Sequence, residues 1–399
     1  MRCSRGSAPT EPDADLSPGW GAQSPSGCGV WVAGRARDVA ASYAPPVVSL
    51  VGRGLLSLGF GLLGVLAQPA WAGDPSRLGP APRDADGRFQ NTAGPLEQAG
   101  PSVTFPFFLR RAAGGFRSRP GAPARVENDG RLLRENARHS VPTVTWVGHA
   151  TLLVQTDHVT FLTDPIWSNT ASPLRWIGPR RFVPPGLALD DLPPIDFVLI
   201  SHNHYDHLDL ATLEALAERH PEARFFVPLG NGDLLRSRGI ESVEELDWGE
   251  SRSYAGVEVY CLPSQHWSRR GLFDGRKALW SSWAVAGPTR RFYFAGDTGY
   301  FDGFARIARE LGPFDLAAVP IGAYVPERMM APAHLDPEEA IQAGLDLEAR
   351  RVLGMHFGTF DLSDEPLDEP PRRFRAAGAA AGLAGEDVWV LSVGETRHF

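Results

Sequence analysis

The chain has 399 residues, 43% of them hydrophobic, and a formal net charge of −8. Such a length and composition allow one large or two ordinary globular domains with a sizeable core. The acidic balance argues against a general nucleic-acid binder, whose surface would be basic.

Residues 1–46 are rich in Gly, Ser, Pro and Ala without periodicity, and read as a disordered or non-native extension. Residues 47–72 resemble a secretory signal. Arg53 precedes an apolar run from Leu55 to Ala67, and Ala70-Trp71-Ala72 supplies a small-x-small cleavage site. The run is too short for a comfortable membrane span. Export to a periplasmic or membrane-associated location is expected, or a cytoplasmic one if the segment is not used. Residues 73–100, rich in Pro, Gly and Asp, read as a flexible leader. Of three cysteines, Cys3 and Cys28 precede the fold, so Cys261, in an apolar run, is expected to be a buried thiol without a disulfide partner.

The main domain is expected over 101–399. Near its start, Thr104-Phe105-Pro106-Phe107-Phe108-Leu109-Arg110-Arg111 sets three Phe beside two Arg. It suits either a surface that touches lipid or a segment packed on the domain. Strands are predicted at Thr143–Val147, Thr151–Gln155, Val159–Thr163, Phe197–Ile200, Phe225–Pro228 and Val257–Leu262. Further strands are predicted at Trp280–Ala286, Phe292–Ala295, Leu316–Ile321, Arg351–Met355 and Val388–Leu391. Helices are predicted at Leu210–His220, Phe301–Leu311, Pro337–Glu348 and Pro371–Ala381. Hairpins first and strand–helix alternation later point to an α+β fold, two packed sheets with helices outside.

The chemistry concentrates in Ser201-His202-Asn203-His204-Tyr205-Asp206-His207-Leu208-Asp209, between a predicted strand and a predicted helix. In extended backbone, side chains at i and i+2 point the same way, so His202 and His204 can share one metal. Asp206 and His207 fall where the chain turns and can face a second. Imidazole with carboxylate suits zinc and other first-row divalent ions. His266, Asp297 and His356 each follow a predicted strand, so strand ends converging on one edge would bring them to the same place.

These motifs resemble the metallo-β-lactamase-fold hydrolases, in particular the branch of N-acylphosphatidylethanolamine-hydrolysing phospholipase D. The resemblance runs from about Ser102 to the C-terminus. It includes Thr145-Trp146-Val147-Gly148-His149-Ala150-Thr151, Leu162-Thr163-Asp164-Pro165, the His202–His207 element, Gln265-His266-Trp267, Gly296-Asp297-Thr298-Gly299-Tyr300, His334-Leu335-Asp336-Pro337 and His356-Phe357-Gly358-Thr359-Phe360. It implies an αββα sandwich with the site at one edge. It also implies two Zn²⁺, with Mn²⁺ or Fe possible. His202, His204 and His266 would hold one ion, Asp206, His207 and His356 the other, and Asp297 would bridge. Asp206 and His334 are the candidates for direct catalytic roles, His334 as a phosphate ligand or proton donor to the leaving group. Asp164 and His149 are expected to brace the ligands. Tyr205 and Tyr324 could line the pocket or serve aromatic packing, and Trp267, Arg269 and Arg270 could meet an anionic headgroup or form a solvated loop.

Water between two such cations loses a proton near neutral pH and can attack phosphorus in line. The expectation is therefore a metal-dependent phosphodiesterase of phospholipase D type. Its substrate would be a phospholipid-like or small diester, with peripheral membrane contact and no nucleic-acid partner. A lactone, ester or amide hydrolase on the same site, and a non-catalytic zinc-binding scaffold, are the alternatives. If the signal-like segment is used, mass spectrometry of the mature protein finds Gly73 as the first residue; a chain that still begins before Leu55 refutes the expectation.

Overall fold

The computed structural model describes residues 73–97, 99–114, 121–174 and 177–399. The expected extension and signal-like segment, 1–46 and 47–72, lie outside the described residues. In chain order the strands are β1 (Thr143–Gly148), β2 (Thr151–Thr156), β3 (Val159–Thr163), β4 (Phe197–Leu199), β5 (Arg224–Pro228), β6 (Val243–Leu246) and β7 (Ser251–Tyr254). They continue as β8 (Val257–Leu262), β9 (Ser282–Ala286), β10 (Arg291–Phe294), β11 (Leu316–Pro320), β12 (Val352–Met355), β13 (Val388–Trp389) and β14 (Thr396–His398). The helices are α1 (Pro101–Gly114), α2 (Arg131–Asn136), α3 (Leu210–Arg219), α4 (Gly232–Arg236), α5 (Gly303–Leu311), α6 (Glu327–Met330), α7 (Pro337–Asp346) and α8 (Glu369–Ala380).

Two seven-stranded sheets result, ordered β14-β1-β2-β3-β4-β5-β6 and β13-β12-β11-β10-β9-β8-β7. Strands β3 to β6 run parallel, as do β10 to β13; the hairpin strands are antiparallel. The alternation within each strand explains the layering. In β4, Phe197 and Leu199 join the core between the sheets, while Val198 packs on the other face with Leu213 and Leu216 of α3. Phe161 of β3 stacks on Phe197 at 4.7 Å and meets Phe292 of β10 edge-on at 5.7 Å, so one aromatic cluster spans both sheets. Helices α5, α7 and α8 cover the second sheet through Phe304, Ile307, Ile341 and Phe374. The layers are those of an αββα sandwich.

Helix α7 starts where the sequence places it. Asp336 accepts from the Glu339 N–H at 2.8 Å, and Glu339 accepts from the Asp336 N–H at 3.1 Å, with Pro337 in the first turn. Strands β6, β7 and β14 were not expected. They read Val-Glu-Glu-Leu, Ser-Arg-Ser-Tyr and Thr-Arg-His, polar sequences suited to sheet edges, where charge discourages further pairing. Helix α1 was not expected either, because Pro106 sits inside it. Residues 73–97 belong to the stretch expected to be a flexible leader, yet they pack on the main body, with Leu78, Ala81 and Phe89 buried in its core. Cys261 is a buried residue of β8, and burial pushes its thiol well up. No helix among the described residues is long and apolar enough to cross a membrane.

Trp283 of β9 ties the sheets together: it is fully buried, and its indole N–H donates to the Ile200 carbonyl just beyond β4 at 2.9 Å. Trp283→Phe keeps the apolar bulk but strands that carbonyl, a loss of about 1–3 kcal/mol. Trp283→Ala loses about 3–5 kcal/mol. Urea unfolding of the two variants is expected to show this order at unchanged m-value.

Candidate metal centre

The site forms outside the carboxyl ends of the parallel strands, where loops from both sheets meet. Asp164 follows β3, Ser201 to His207 follow β4, Asp297 follows β10 and His356 follows β12. His266 lies in the long connection from β8 to β9, and His149 in the turn between β1 and β2. Backbone conformation is strained here: His149, Asp164 and His356 adopt φ of 57°, 35° and 60°, in the left-handed region. Strain of this kind persists only where the surroundings enforce it.

Two groups of ligand atoms converge. His202, His204 and His266 form the first, with His202 Nε2 2.8 Å and His266 Nε2 3.2 Å from His204 Nδ1. His149, Asp206, His207 and His356 form the second, with His207 Nε2 3.2 Å from His356 Nε2 and 3.3 Å from Asp206 Oδ2. Asp297 reaches both. Its Oδ2 lies 3.1 Å from His207 Nε2, 3.9 Å from His266 Nε2 and 4.0 Å from His202 Nε2, and its Oδ1 lies 3.1 Å from His356 Nε2. All seven residues singled out as ligands therefore face one another.

The rear nitrogens are already committed. His207 Nδ1 donates to Asp164 Oδ2 at 2.6 Å, and His266 Nδ1 donates to the Ala333 carbonyl at 2.9 Å. Ser201 Oγ donates to Asp164 Oδ2 at 2.5 Å and so accepts from His202 Nδ1 at 2.9 Å. These bonds place the protons on Nδ1 and leave lone pairs on the Nε2 atoms that face inward. The inward Nε2 atoms of His202 and His266, 2.8 and 3.2 Å from His204 Nδ1, are placed as three donors that could share one cation. His149 Nε2 donates to Asp206 Oδ2 at 2.9 Å, so it braces that carboxylate.

Burial pushes the rings of the first group down, His204 to about 4 and His202 and His266 well below the usual imidazole range. In the second group burial acts the same way, but Asp297, Asp206 and Asp164 outweigh it and hold His207 well up; His356 is raised to about 9 by Asp297 and Asp206. Burial alone would raise Asp206 and Asp297, yet His207 and its neighbours keep both carboxylates well below the usual range. Both carboxylates therefore stay ionised, their charge matched by the His207 and His356 rings.

His334 sits beside the first group, its Nδ1 3.9 Å from Asp297 Oδ2 and without a hydrogen-bond partner. Burial pushes it down to about 4. Trp267 packs edge-on against His204 at 4.4 Å. Arg270 does not face a headgroup. Its Nη1 donates to the Asn203 and Leu208 carbonyls at 3.0 and 2.7 Å, and its guanidinium lies over the Tyr205 ring at 4.1 Å. It holds the histidine loop in shape. Tyr324 packs against α8, donating to Glu369 at 2.8 Å with Arg373 over its ring. A cleft of about 620 Å³ opens next to His266, walled by Leu96, Phe108, Trp267, Met329 and Pro332, with Arg269 among its lining residues.

Residues 159–357 match the family model described as "Beta-lactamase superfamily domain". The chain is 44% identical over 238 residues to the "N-acyl-phosphatidylethanolamine-hydrolyzing phospholipase D 1" of Caenorhabditis elegans, covering 57% of this chain and 67% of that one. The chain belongs to the metallo-β-lactamase-fold hydrolases. This hydrolase is also 34% identical over 275 residues to the mitochondrial "N-acyl-phosphatidylethanolamine-hydrolyzing phospholipase D" of Saccharomyces cerevisiae, spanning 67% of this chain and 58% of that one. Among solved structures, the metallo hydrolase Igni18 of Ignicoccus hospitalis superimposes with a TM-score of 0.50 at 25% identity, over 65% of this chain and 98% of that one. The protein is a metal-dependent hydrolase whose His/Asp cluster can hold metal.

Asp164 is the bond that both groups share, through His207 and through Ser201 to His202. Asp164→Ala is expected to weaken ion retention by about 10- to 100-fold. Dialysis against a chelator series, with metal quantified on the protein, measures it.

Proposed function

We propose that this hydrolase is a phosphodiesterase of phospholipase D type acting on a phospholipid-like diester. The observation that carries the reading is the shared carboxylate of Asp297 between two His-rich groups, beside a cleft with apolar walls. The relatives named N-acyl-phosphatidylethanolamine-hydrolyzing phospholipase D support the substrate class.

In this reading His202, His204 and His266 would hold one ion and Asp206, His207 and His356 the other, with Asp297 available to both. Zinc suits that donor set. Two such cations supply a nucleophile from water near neutral pH and stabilise charge at phosphorus. The chain's own residues do the rest. Asp164, Ser201 and Ala333 fix the tautomers of His207, His202 and His266, and His149 aims Asp206. A new O–P bond forms from water, the P–O bond to the headgroup alcohol breaks, and the alcohol leaves with the proton that the water gives up. His334, neutral at pH 7, is suited to donate a hydrogen bond to a phosphoryl oxygen rather than to deliver that proton. The exposed Phe105, Phe108 and Leu109 of α1 suit peripheral contact with a lipid surface, from which the cleft would be entered.

Metal-quantified protein is expected to turn over N-acylated or simple phospholipid diesters and release a phosphomonoester lipid. Activity on lactones without any on diesters would refute the reading. His334→Ala is expected to keep its ions and lose turnover on the order of 10²-fold, as when one charge-stabilising donor is removed.

A further inference from the structure

His266 is the ligand candidate with the least regular setting. It lies in the connection from β8 to β9, in which the ordered bonds of a sheet end at Leu262 and resume at Ser282. Backbone groups in a buried, irregular stretch need partners from elsewhere. For His266 they come from Asn91, far upstream and outside residues 159–357, the span of the superfamily domain.

The Asn91 carboxamide meets both backbone groups of His266. Its Nδ2 donates to the His266 carbonyl at 2.9 Å, and its Oδ1 accepts from the His266 N–H at 3.0 Å. One side chain thereby acts as a strand partner for a single residue. Oδ1 also accepts from the Trp280 indole N–H at 2.9 Å. Asn91 is only 4% exposed.

Asn91 is itself anchored. Phe89, 1% exposed, inserts into the core, and its N–H donates to the Arg276 carbonyl at 2.9 Å. Arg276 returns to the same stretch, pairing with Asp84 at 3.0 Å. Residues 81–91 therefore form a clasp over the loop that carries His266. With Asn91 on the backbone and the Ala333 carbonyl on Nδ1, the direction of His266 Nε2 is fixed from two sides.

We infer that Asn91 is a positioning residue of the metal centre: by gripping the His266 backbone it aims that ring at the ion shared with His202 and His204. The inference rests on the two-ion reading proposed above, and it makes a stretch upstream of the superfamily domain part of that centre.

Competition of Zn²⁺-loaded full-length protein with a chelator of known affinity tests it, together with the visible spectrum of the Co²⁺-substituted form. Asn91→Ala is expected to weaken one of two ions by about 10- to 100-fold and to alter only that ion's Co²⁺ bands. Asn91→Ser, which keeps an oxygen acceptor, is expected to fall between. Leu216→Ala, a core change in α3, is expected to lower thermal stability while leaving both affinities intact, which separates aiming from general loosening. Asn91→Ala that binds both ions as tightly as wild type, or loses both equally, overturns the inference. So does failure of both Asn91 variants to fold, which would make the residue structural. Wild type that retains fewer than two ions fails the underlying reading and this inference with it.

Discussion

A carboxylate with no access to water holds this site together. Asp164 accepts the Ser201 N–H at 2.6 Å, the Ser201 hydroxyl at 2.5 Å and His207 Nδ1 at 2.6 Å. Burial raises its pKa against the pull of those donors. A buried acceptor with such partners is rigid, because any departure leaves it unpaired in low dielectric. It also keeps β3 and β4 in register at the point where the chain leaves the sheet. The first sheet delivers two pairs of ligand candidates already aimed, His202 with His204 and Asp206 with His207, and the second sheet completes them.

The short-range part of the centre was legible in the sequence because it is local. His202, His204, Asp206 and His207 fall within six positions, and their spacing follows from the geometry of extended backbone turning into a helix. His266, Asp297 and His356 could be proposed because each follows a strand that apolar alternation marks out. Arg270 was misjudged. Its partners are the carbonyls of Asn203 and Leu208, and a carbonyl carries no sequence signature. Asn91 was missed for a related reason: its partner is 175 positions away, and its own neighbours read as a linker. The polar strands β6, β7 and β14 escaped because edge strands are built to look unlike central ones.

Helix α1 shows how one segment can answer two readings. Phe107 turns inward, 3% exposed, with the Arg111 guanidinium over its ring at 3.9 Å, while Phe105, Phe108 and Leu109 face outward. Arg111 also donates to the Ser363 carbonyl at 2.7 Å and pairs with Asp364 at 3.0 Å, in the loop that follows His356. The segment packs on the domain and presents an apolar face to its surroundings. Of its outward side chains, Phe108 lines the cleft beside His266.

The division of ligands between the sheets has a thermodynamic corollary. His202, His204, Asp206 and His207 arrive on one layer of the sandwich, His266, Asp297 and His356 on the other. Neither layer alone can bind an ion with its full complement, so occupancy is coupled to docking of the two layers. Cations held in this seam would act as rivets between halves, and their binding free energy would add to resistance against unfolding in proportion to the logarithm of their free concentration.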